Sequence, residues 1–178
     1  MSGPPFLTAC LAEAAYTDEP EGMVTVGALV HRLLDHAIRG PARDRGSMTR
    51  LAQWLTMGDL DLRPLVPEAL DTVGRVMASD FWRRAMAAAE HHPEVPFAVR
   101  TDDGPDTPTV LHGIIDLIYR TPEGWEMVDY KTDPVCVPAL ASKYAPQVRQ
   151  YAAAWSRLTS TPVPYAALFG THHGEISA

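Results

Sequence analysis

The sequence predicts an α/β (α+β) domain with a mixed central sheet flanked by helices and with an N-terminal helical portion. From Thr25 to about Ala89, apolar residues recur at intervals of three and four, which is the period of helices packed on one side. From Glu94 the pattern changes to apolar runs separated by turn-forming residues, which is typical of strands. A helical period then returns before a last apolar run, so helices are expected to cover the sheet.

The individual elements follow from these periods and from the residues that bound them. Four helices are predicted for TVGALVHRLLDHAIRG, SMTRLAQWLTMG, VPEALDTVGRVMAS and DFWRRAMAAAE, and RGPARDRG is predicted to be a loop. Gly40 and Gly58 are suited to end helices, and Ser79 with Asp80 is suited to begin one. Strands are then predicted for EVPFAVRT, TVLHGIIDLIYR and GWEMVDYKT, followed by a helix for SKYAPQVRQYAAAWSRL and a strand for VPYAALFGTH.

Length and composition favour one domain. The chain has 178 residues, of which 46% are hydrophobic, and this is enough for a single core. Residues 1–22 contain prolines and acids and are expected to be at most partly ordered, and residues 23–178 are predicted to form the domain. No apolar run approaches the roughly 18 residues of a membrane span, so no membrane partner is predicted. The net charge of −7 provides no overall basic field for nucleic acid.

The two cysteines limit the metal and redox chemistry. Cys10 and Cys136 are far apart and match no metal-ligand or redox spacing, so they are predicted to be thiols in a reducing compartment and the protein is predicted to be cytoplasmic. An iron–sulfur cluster held by four cysteines is excluded. The absence of GxSxG, Walker A and GxGxxG motifs leaves acyl transfer, nucleotide hydrolysis and dinucleotide binding without support.

Two acids interrupt the apolar strands of the stretch LHGIIDLIYRTPEGWEMVDYKTD. If TPEG forms a four-residue hairpin loop, Arg120 pairs with Trp125, and the register then places Asp116 opposite Asp129. Because side chains alternate along a strand, Asp129 and Lys131 share one face. Like charges opposite each other destabilise a sheet, so a divalent cation between the acids is predicted. The alternative is that one acid ends its strand and Lys131 is a solvated charge paired with an acid.

This group of charges is suited to phosphate chemistry. Hard cations such as Mg²⁺ and Mn²⁺ prefer carboxylate oxygens and retain water molecules, one of which can attack a phosphate. A lysine beside that water can orient it and offset the charge that builds on the phosphate in the transition state. Two acids, a lysine and a metal ion are therefore the minimal set for phosphodiester hydrolysis.

The segment GIIDLIY followed by GWEMVDYKTD resembles the core of the RecB-type nucleases of the PD-(D/E)xK superfamily, in particular the C-terminal nuclease domain of RecB and AddA helicase–nuclease subunits. These nucleases also carry a helix with a VHRLLE-like motif, matched here by GALVHRLLDHA, and a QxxxY helix after the lysine, matched by QVRQY. EVPF resembles the start of the strand that precedes the hairpin. The elements occur in the same order over about residues 24–170, and Asp35 stands where glutamate is more usual.

The resemblance implies a restriction-endonuclease-like core, Mg²⁺ or Mn²⁺ as the cofactor, and a role for each matching residue. The implied metal ligands are His31, Asp116, Asp129 and the backbone carbonyl of Tyr130. The implied catalytic residues are Asp116, Asp129, Lys131, Gln147 and Tyr151. Of these, Lys131 is the catalytic lysine, and the last two are expected to position DNA or to support that lysine.

Single residues of this set also have simpler explanations. A lone histidine in an apolar helix, such as His31, can be a partly buried core residue. Gln147 and Tyr151 lie one helical turn apart and can belong to an ordinary helix face that Tyr144 continues. Glu94 is left outside the ligand set because an acid at the start of a strand is usually solvated.

The implied function is that of a metal-dependent DNA nuclease of the exodeoxyribonuclease type, the nuclease domain of a helicase–nuclease that acts in double-strand-break repair and recombination. The implied partners are DNA, as single strands or processed ends, and a helicase domain or subunit. The alternative is a catalytically silent module of the same fold that binds DNA or a partner. The intact set His31, Asp116, Asp129 and Lys131 favours the enzyme.

Overall fold

The computed structural model describes residues 25–40, 43–101 and 109–177. The predicted α/β class is confirmed, with the predicted helices and strands in the predicted order. The short strand Glu175–Ser177 was not predicted, because three residues are too few to show a period. Residues 1–22, predicted to be at most partly ordered, lie outside the described residues.

The elements are α1 (Val26–Arg39), α2 (Arg45–Leu55), a 3₁₀ turn (Arg63–Leu65), α3 (Val66–Met77), α4 (Asp80–Ala87), β1 (His91–Thr101), β2 (Thr109–Thr121), β3 (Gly124–Lys131), α5 (Val137–Thr159), β4 (Tyr165–Gly170) and β5 (Glu175–Ser177).

Side-chain caps begin three of the helices. Thr25, Asp44 and Ser79 each accept a hydrogen bond from the backbone N–H three residues later, at the starts of α1, α2 and α4. Gly40 follows the last residue of α1, as predicted. The predicted loop RGPARDRG is shorter than expected, because α2 already begins at Arg45.

The five strands form one sheet in the order β1-β2-β3-β4-β5. The predicted pairing of Arg120 with Trp125 is confirmed. Thr121 also pairs with Gly124, so the turn contains residues 122–123 alone, rather than the predicted four residues. Gly124 has φ +140°, a conformation that side-chain-bearing residues rarely adopt, and this explains the glycine at the end of such a tight turn.

Strands β3 and β4 are parallel, and α5 makes the crossover that parallel neighbours need. The sheet is covered on both faces. One face packs against α1–α4 through a core that contains Leu117, Val128 and Phe169, and the other packs against α5 through Ile118 and Met127. This two-sided burial explains why six of the eight residues of β3 are buried.

Two further observations concern the start of α5 and the lengths of the helices. Cys136, directly before α5, is disulfide-bonded, so the prediction of a free thiol at this position is wrong. Cys10 lies outside the described residues. In the part of the chain that the structure describes, no helix is both long and apolar enough to cross a membrane.

Candidate active site

Strands β1 and β2 are both interrupted at the same level. Pro93 pairs with Leu117 and Val95 pairs with Ile115, but the two acids between these pairs do not continue the ladder. Glu94, on β1, has φ +48°, which is rare for a residue with a side chain and is often found at functional sites. On β2, Ile115 packs on the α5 side while Leu117 packs on the opposite face, so the regular alternation changes at the acid between them.

The interruption brings three ligand-type side chains together. His31, on α1, has its Nδ1 3.4 Å from Oε1 of Glu94 and 3.5 Å from Oδ1 of Asp116. One ligand atom from each of the three residues lies within 4.8 Å of the other two. Asp116 is buried, and the other two side chains are roughly one-third exposed or less. We refer to His31, Glu94 and Asp116 as the acid–histidine cluster.

A backbone hydrogen bond fixes the carboxylate of Asp116. Tyr130 donates its N–H to Oδ2 of Asp116 at 2.7 Å, which leaves Oδ1 directed to His31. The β2–β3 ladder ends at the pair of Leu117 with Val128, one step short of the predicted pairing of Asp116 with Asp129. Where the β2–β3 ladder ends, the Asp116 carboxylate therefore accepts the N–H of Tyr130 in place of a backbone carbonyl of the neighbouring strand.

Asp129 and Lys131 form an ion pair beside the cluster. Nζ of Lys131 lies 2.8 Å from Oδ2 of Asp129, and both side chains are largely buried. At this distance the Lys131 ammonium group also donates a hydrogen bond to the Asp129 carboxylate. Nζ of Lys131 also lies 4.4 Å from the ring centroid of Tyr144, on α5, at the distance of a cation–π contact.

The burial and the charges of these groups shift their pKa values. Burial, together with the charge of Asp129, raises the pKa of Asp116 to about 7. Burial lowers the pKa of His31, but the hydrogen bond with Glu94 and the nearby acids outweigh it, so the pKa of His31 is raised. The pKa of Lys131 is also raised, because the carboxylate of Asp129 outweighs the effect of burial. The cluster thus tends to hold protons, while the lysine stays charged.

Gln147 and Tyr151 lie on one face of α5, as their spacing predicted. Nε2 of Gln147 donates to the Tyr151 hydroxyl at 3.1 Å, and the Tyr151 ring packs edge-on against Phe97 with its centroid 4.8 Å away. Tyr151 also covers Gly113, where a Cβ would lie 2.4 Å from the phenol oxygen. Gly113 is therefore required by the close approach of this ring.

Replacing Gly113 with alanine is expected to lower the free energy of unfolding by about 1–3 kcal/mol, because the new methyl group must push the Tyr151 ring away. Urea denaturation measures this change. The control is Gly74, which is exposed in α3 and has no atom within 4 Å of the position that a methyl group would take. Its replacement by alanine should raise the free energy of unfolding by up to about 1 kcal/mol. Equal effects at the two glycines would contradict the packing described.

Two residues of this site were not predicted from the sequence. Glu94 was expected to be solvated, but it contacts His31. The signal that could have identified Glu94 is its place in EVPF, just ahead of the hairpin. Tyr144 was seen as an ordinary member of a helix face, but it contacts Lys131. Its position three residues before Gln147, on the same face, was the available signal.

The comparisons with known proteins agree with this geometry. Residues 8–174 match the family described as the PD-(D/E)XK nuclease superfamily. The chain is also similar to proteins whose names describe them as a subunit of an ATP-dependent helicase/nuclease. It is 23% identical over 171 residues to the one from Bacillus licheniformis, covering 84% of this chain and 14% of the relative. The identity is 25% for Acetivibrio thermocellus, with 92% and 14% covered, and 26% for Limosilactobacillus fermentum, with 92% and 13% covered.

The chain spans about one seventh of the length of these relatives. The family match, by contrast, extends over nearly the whole chain. It confirms the resemblance that the hairpin, the histidine helix and the QxxxY helix indicated. The chain belongs to the PD-(D/E)XK nuclease superfamily.

Proposed function

We propose that this domain is a divalent-metal-dependent deoxyribonuclease that hydrolyses phosphodiester bonds as an exonuclease. The observation that carries the proposal is the acid–histidine cluster at the interrupted strands, with the Lys131–Asp129 ion pair beside it. We further propose that residues 23–178 form the nuclease portion of a helicase–nuclease acting in DNA double-strand-break repair and recombination. A location in the cytoplasm is proposed because the relatives are named ATP-dependent, and ATP is available there.

The donor set is suited to Mg²⁺ or Mn²⁺. Carboxylate oxygens with one imidazole are ligands that Mn²⁺ accepts and that Mg²⁺ tolerates, and the described part of the site contains no thiolate. Two buried carboxylates, Asp116 and Asp129, lie beside a single lysine, and a cation held between the acids would offset their remaining negative charge. We propose that His31, Glu94 and Asp116 hold the ion, with Asp129 and the carbonyl of Tyr130 as further ligands. A bound ion of this kind polarises a phosphate and makes a water molecule more acidic.

The residues of the chain perform the remaining tasks. The N–H of Tyr130 holds the Asp116 carboxylate in a fixed orientation. Asp129 keeps Lys131 charged and in place, so that its ammonium group can orient the attacking water or offset the charge that builds on the phosphate. Gln147 and Tyr151 are proposed to position the DNA strand along α5.

A cleavage assay tests this function. Labelled linear single- and double-stranded DNA and circular single-stranded DNA are incubated with Mg²⁺, Mn²⁺ or EDTA. The proposal requires metal-dependent shortening of the linear DNA from its ends, with the circles left intact. Binding of DNA without cleavage in any metal would support instead the alternative of a catalytically silent module, which the intact charged set disfavours.

Metal affinity is expected to fall as the pH falls from 8 to 6. Below about pH 7, Asp116 holds a proton in the metal-free protein, and His31, whose pKa is raised, holds another. A cation must displace these protons, so each one weakens apparent affinity by up to about tenfold per pH unit. Titration calorimetry with Mn²⁺, in buffers of different ionisation enthalpy, gives both the affinity and the number of protons released. Affinity that is constant over this range would contradict the assignment.

Tyr144 is expected to support catalysis through its ring rather than its hydroxyl. Tyr144→Phe should keep kcat close to the parent value, whereas Tyr144→Leu should lower it by about tenfold, because a cation–π contact contributes about 0.5–2 kcal/mol. Steady-state cleavage kinetics on a linear oligonucleotide measure both variants. A Phe variant as slow as the Leu variant would show that the ring face does not hold the lysine.

A further inference from the structure

A groove of about 340 Å³ opens beside the acid–histidine cluster. His31 and Glu94, which belong to the cluster, also form part of its wall. The rest of the wall comes from α1, through Arg32, His36 and their neighbours, and from α2, through Leu51 and Leu55. The groove is therefore continuous with the place where a phosphate would be cut.

Two arginines and two acids line the groove. Nε of Arg39 lies 2.5 Å from Oδ1 of Asp35, and Arg39 also donates to the carbonyl of Pro93, so these two wall charges offset each other. The exposed side chain of Arg32 makes no ion pair or hydrogen bond within the part of the chain that the structure describes. Among the described residues that line the groove, Arg32 is thus the arginine whose charge is not offset by an ion pair, and it lies one residue from His31.

The wall of the groove that α2 supplies is apolar. Leu51 and Leu55 lie one helical turn apart on α2, both are partly buried, and both pack at the edge of the core beneath α1. Glu94, the second acid of the groove, is a proposed ligand of the ion, so the apolar wall and the cation of Arg32 remain to bind the two parts of a nucleotide, the apolar base face and the anionic phosphate. The volume is at the lower end of the range for sites that enclose a small ligand.

We propose that this groove is a nucleotide subsite that holds the residue next to the scissile phosphodiester, with its phosphate on Arg32 and its base against Leu51 and Leu55. The inference rests on the proposed nuclease function and adds to it the residues that hold the neighbouring nucleotide.

The contribution of Arg32 is tested by binding, independently of cleavage. A short fluorescein-labelled oligothymidylate is titrated by fluorescence anisotropy in Mg²⁺, from about 50 to 200 mM salt, in a Lys131→Met background. Arg32→Gln should weaken binding by about tenfold and reduce the slope of log affinity against log salt by about 0.7, the loss expected for one phosphate contact on a single strand. The control residue is Arg50, which is exposed on α2 and lies outside the groove. Arg50→Gln removes the same charge and should leave the slope unchanged.

The contribution of the leucines is tested with the base removed. An oligonucleotide with one abasic nucleotide beside a defined cleavage position should have a KM about tenfold higher than the intact strand, and Leu55→Ala should abolish most of that difference while kcat changes little. Equal binding and equal salt slopes for Arg32→Gln and Arg50→Gln would overturn the subsite, even if the parent protein cleaves DNA. A parent protein that binds the strand through Arg32 but never cleaves would leave the subsite intact and refute the nuclease function instead.

Discussion

Replacement of Lys131 with methionine is expected to lower kcat for DNA cleavage by about 10²- to 10³-fold, the loss usual for one group that stabilises transition-state charge. Metal affinity should be equal to or tighter than that of the parent. The reason is that Lys131 contacts Asp129 and the ring of Tyr144 rather than supplying a metal ligand, and its removal makes the site more negative. Cleavage kinetics and Mn²⁺ titration on the same preparation measure both quantities.

The control for this variant is the other lysine of the chain. Lys143→Met removes the same charge from an exposed position of α5, where Nζ lies 4.6 Å from the centroid of the Tyr144 ring, and it should keep kcat close to the parent value because the Lys131–Asp129 ion pair stays in place. Loss of Lys131 also leaves Asp129 buried without its ion-pair partner, so folding of the variant must be checked by denaturation. Similar activity in the Lys131 variant and the parent, or equal losses for the two lysines, would remove Lys131 from the mechanism.

Replacement of Asp116 with asparagine is expected to have opposite effects on metal binding and on stability. The amide can still accept from the Tyr130 N–H but carries no charge, so Mn²⁺ affinity should fall by at least about 100-fold. The metal-free protein should become more stable at pH 8 by about 1–3 kcal/mol, because the carboxylate is held there ionised and buried, with a pKa of about 7 against 3.8 unperturbed. Calorimetric titration and urea denaturation without metal give the two numbers.

Asp71→Asn is the matched control for this pair of effects. Asp71 is exposed and pairs with Arg45 on the surface, so its replacement should change neither metal affinity nor stability by more than a few tenths of a kcal/mol. An Asp116 variant that binds metal as the parent does, or that is less stable without metal, would show that the buried acid is a structural element of the sheet.

The parts of this structure that sequence could predict are those set by local periodicity. The helical period gave α1 and α5, and the turn residues gave the hairpin in which Arg120 pairs with Trp125. The adjacency of Asp129 and Lys131 then followed from the alternation of side chains along one strand.

The parts that sequence missed depend on departures from regular geometry or on contacts between distant elements. Glu94 reaches His31 because its backbone adopts φ +48°, whereas a pattern argument assumes a regular strand. Tyr144 reaches Lys131 because the crossover from β3 brings α5 back over the end of that strand, a geometry that no spacing in the chain encodes. Both misses lie at the candidate site, where local rules are most often broken.

The central claim is that the acid–histidine cluster holds the divalent ion that DNA cleavage requires. The most direct test compares the Mn²⁺ concentration that gives half-maximal cleavage of linear DNA with the dissociation constant for Mn²⁺ measured by calorimetry, in the parent and in Glu94→Gln. The account predicts that the two values agree within about threefold in the parent and rise together in the variant, since Glu94 is a ligand of the ion that acts. Cleavage that persists in EDTA, or a variant in which binding weakens while the metal dependence of cleavage stays unchanged, would contradict it.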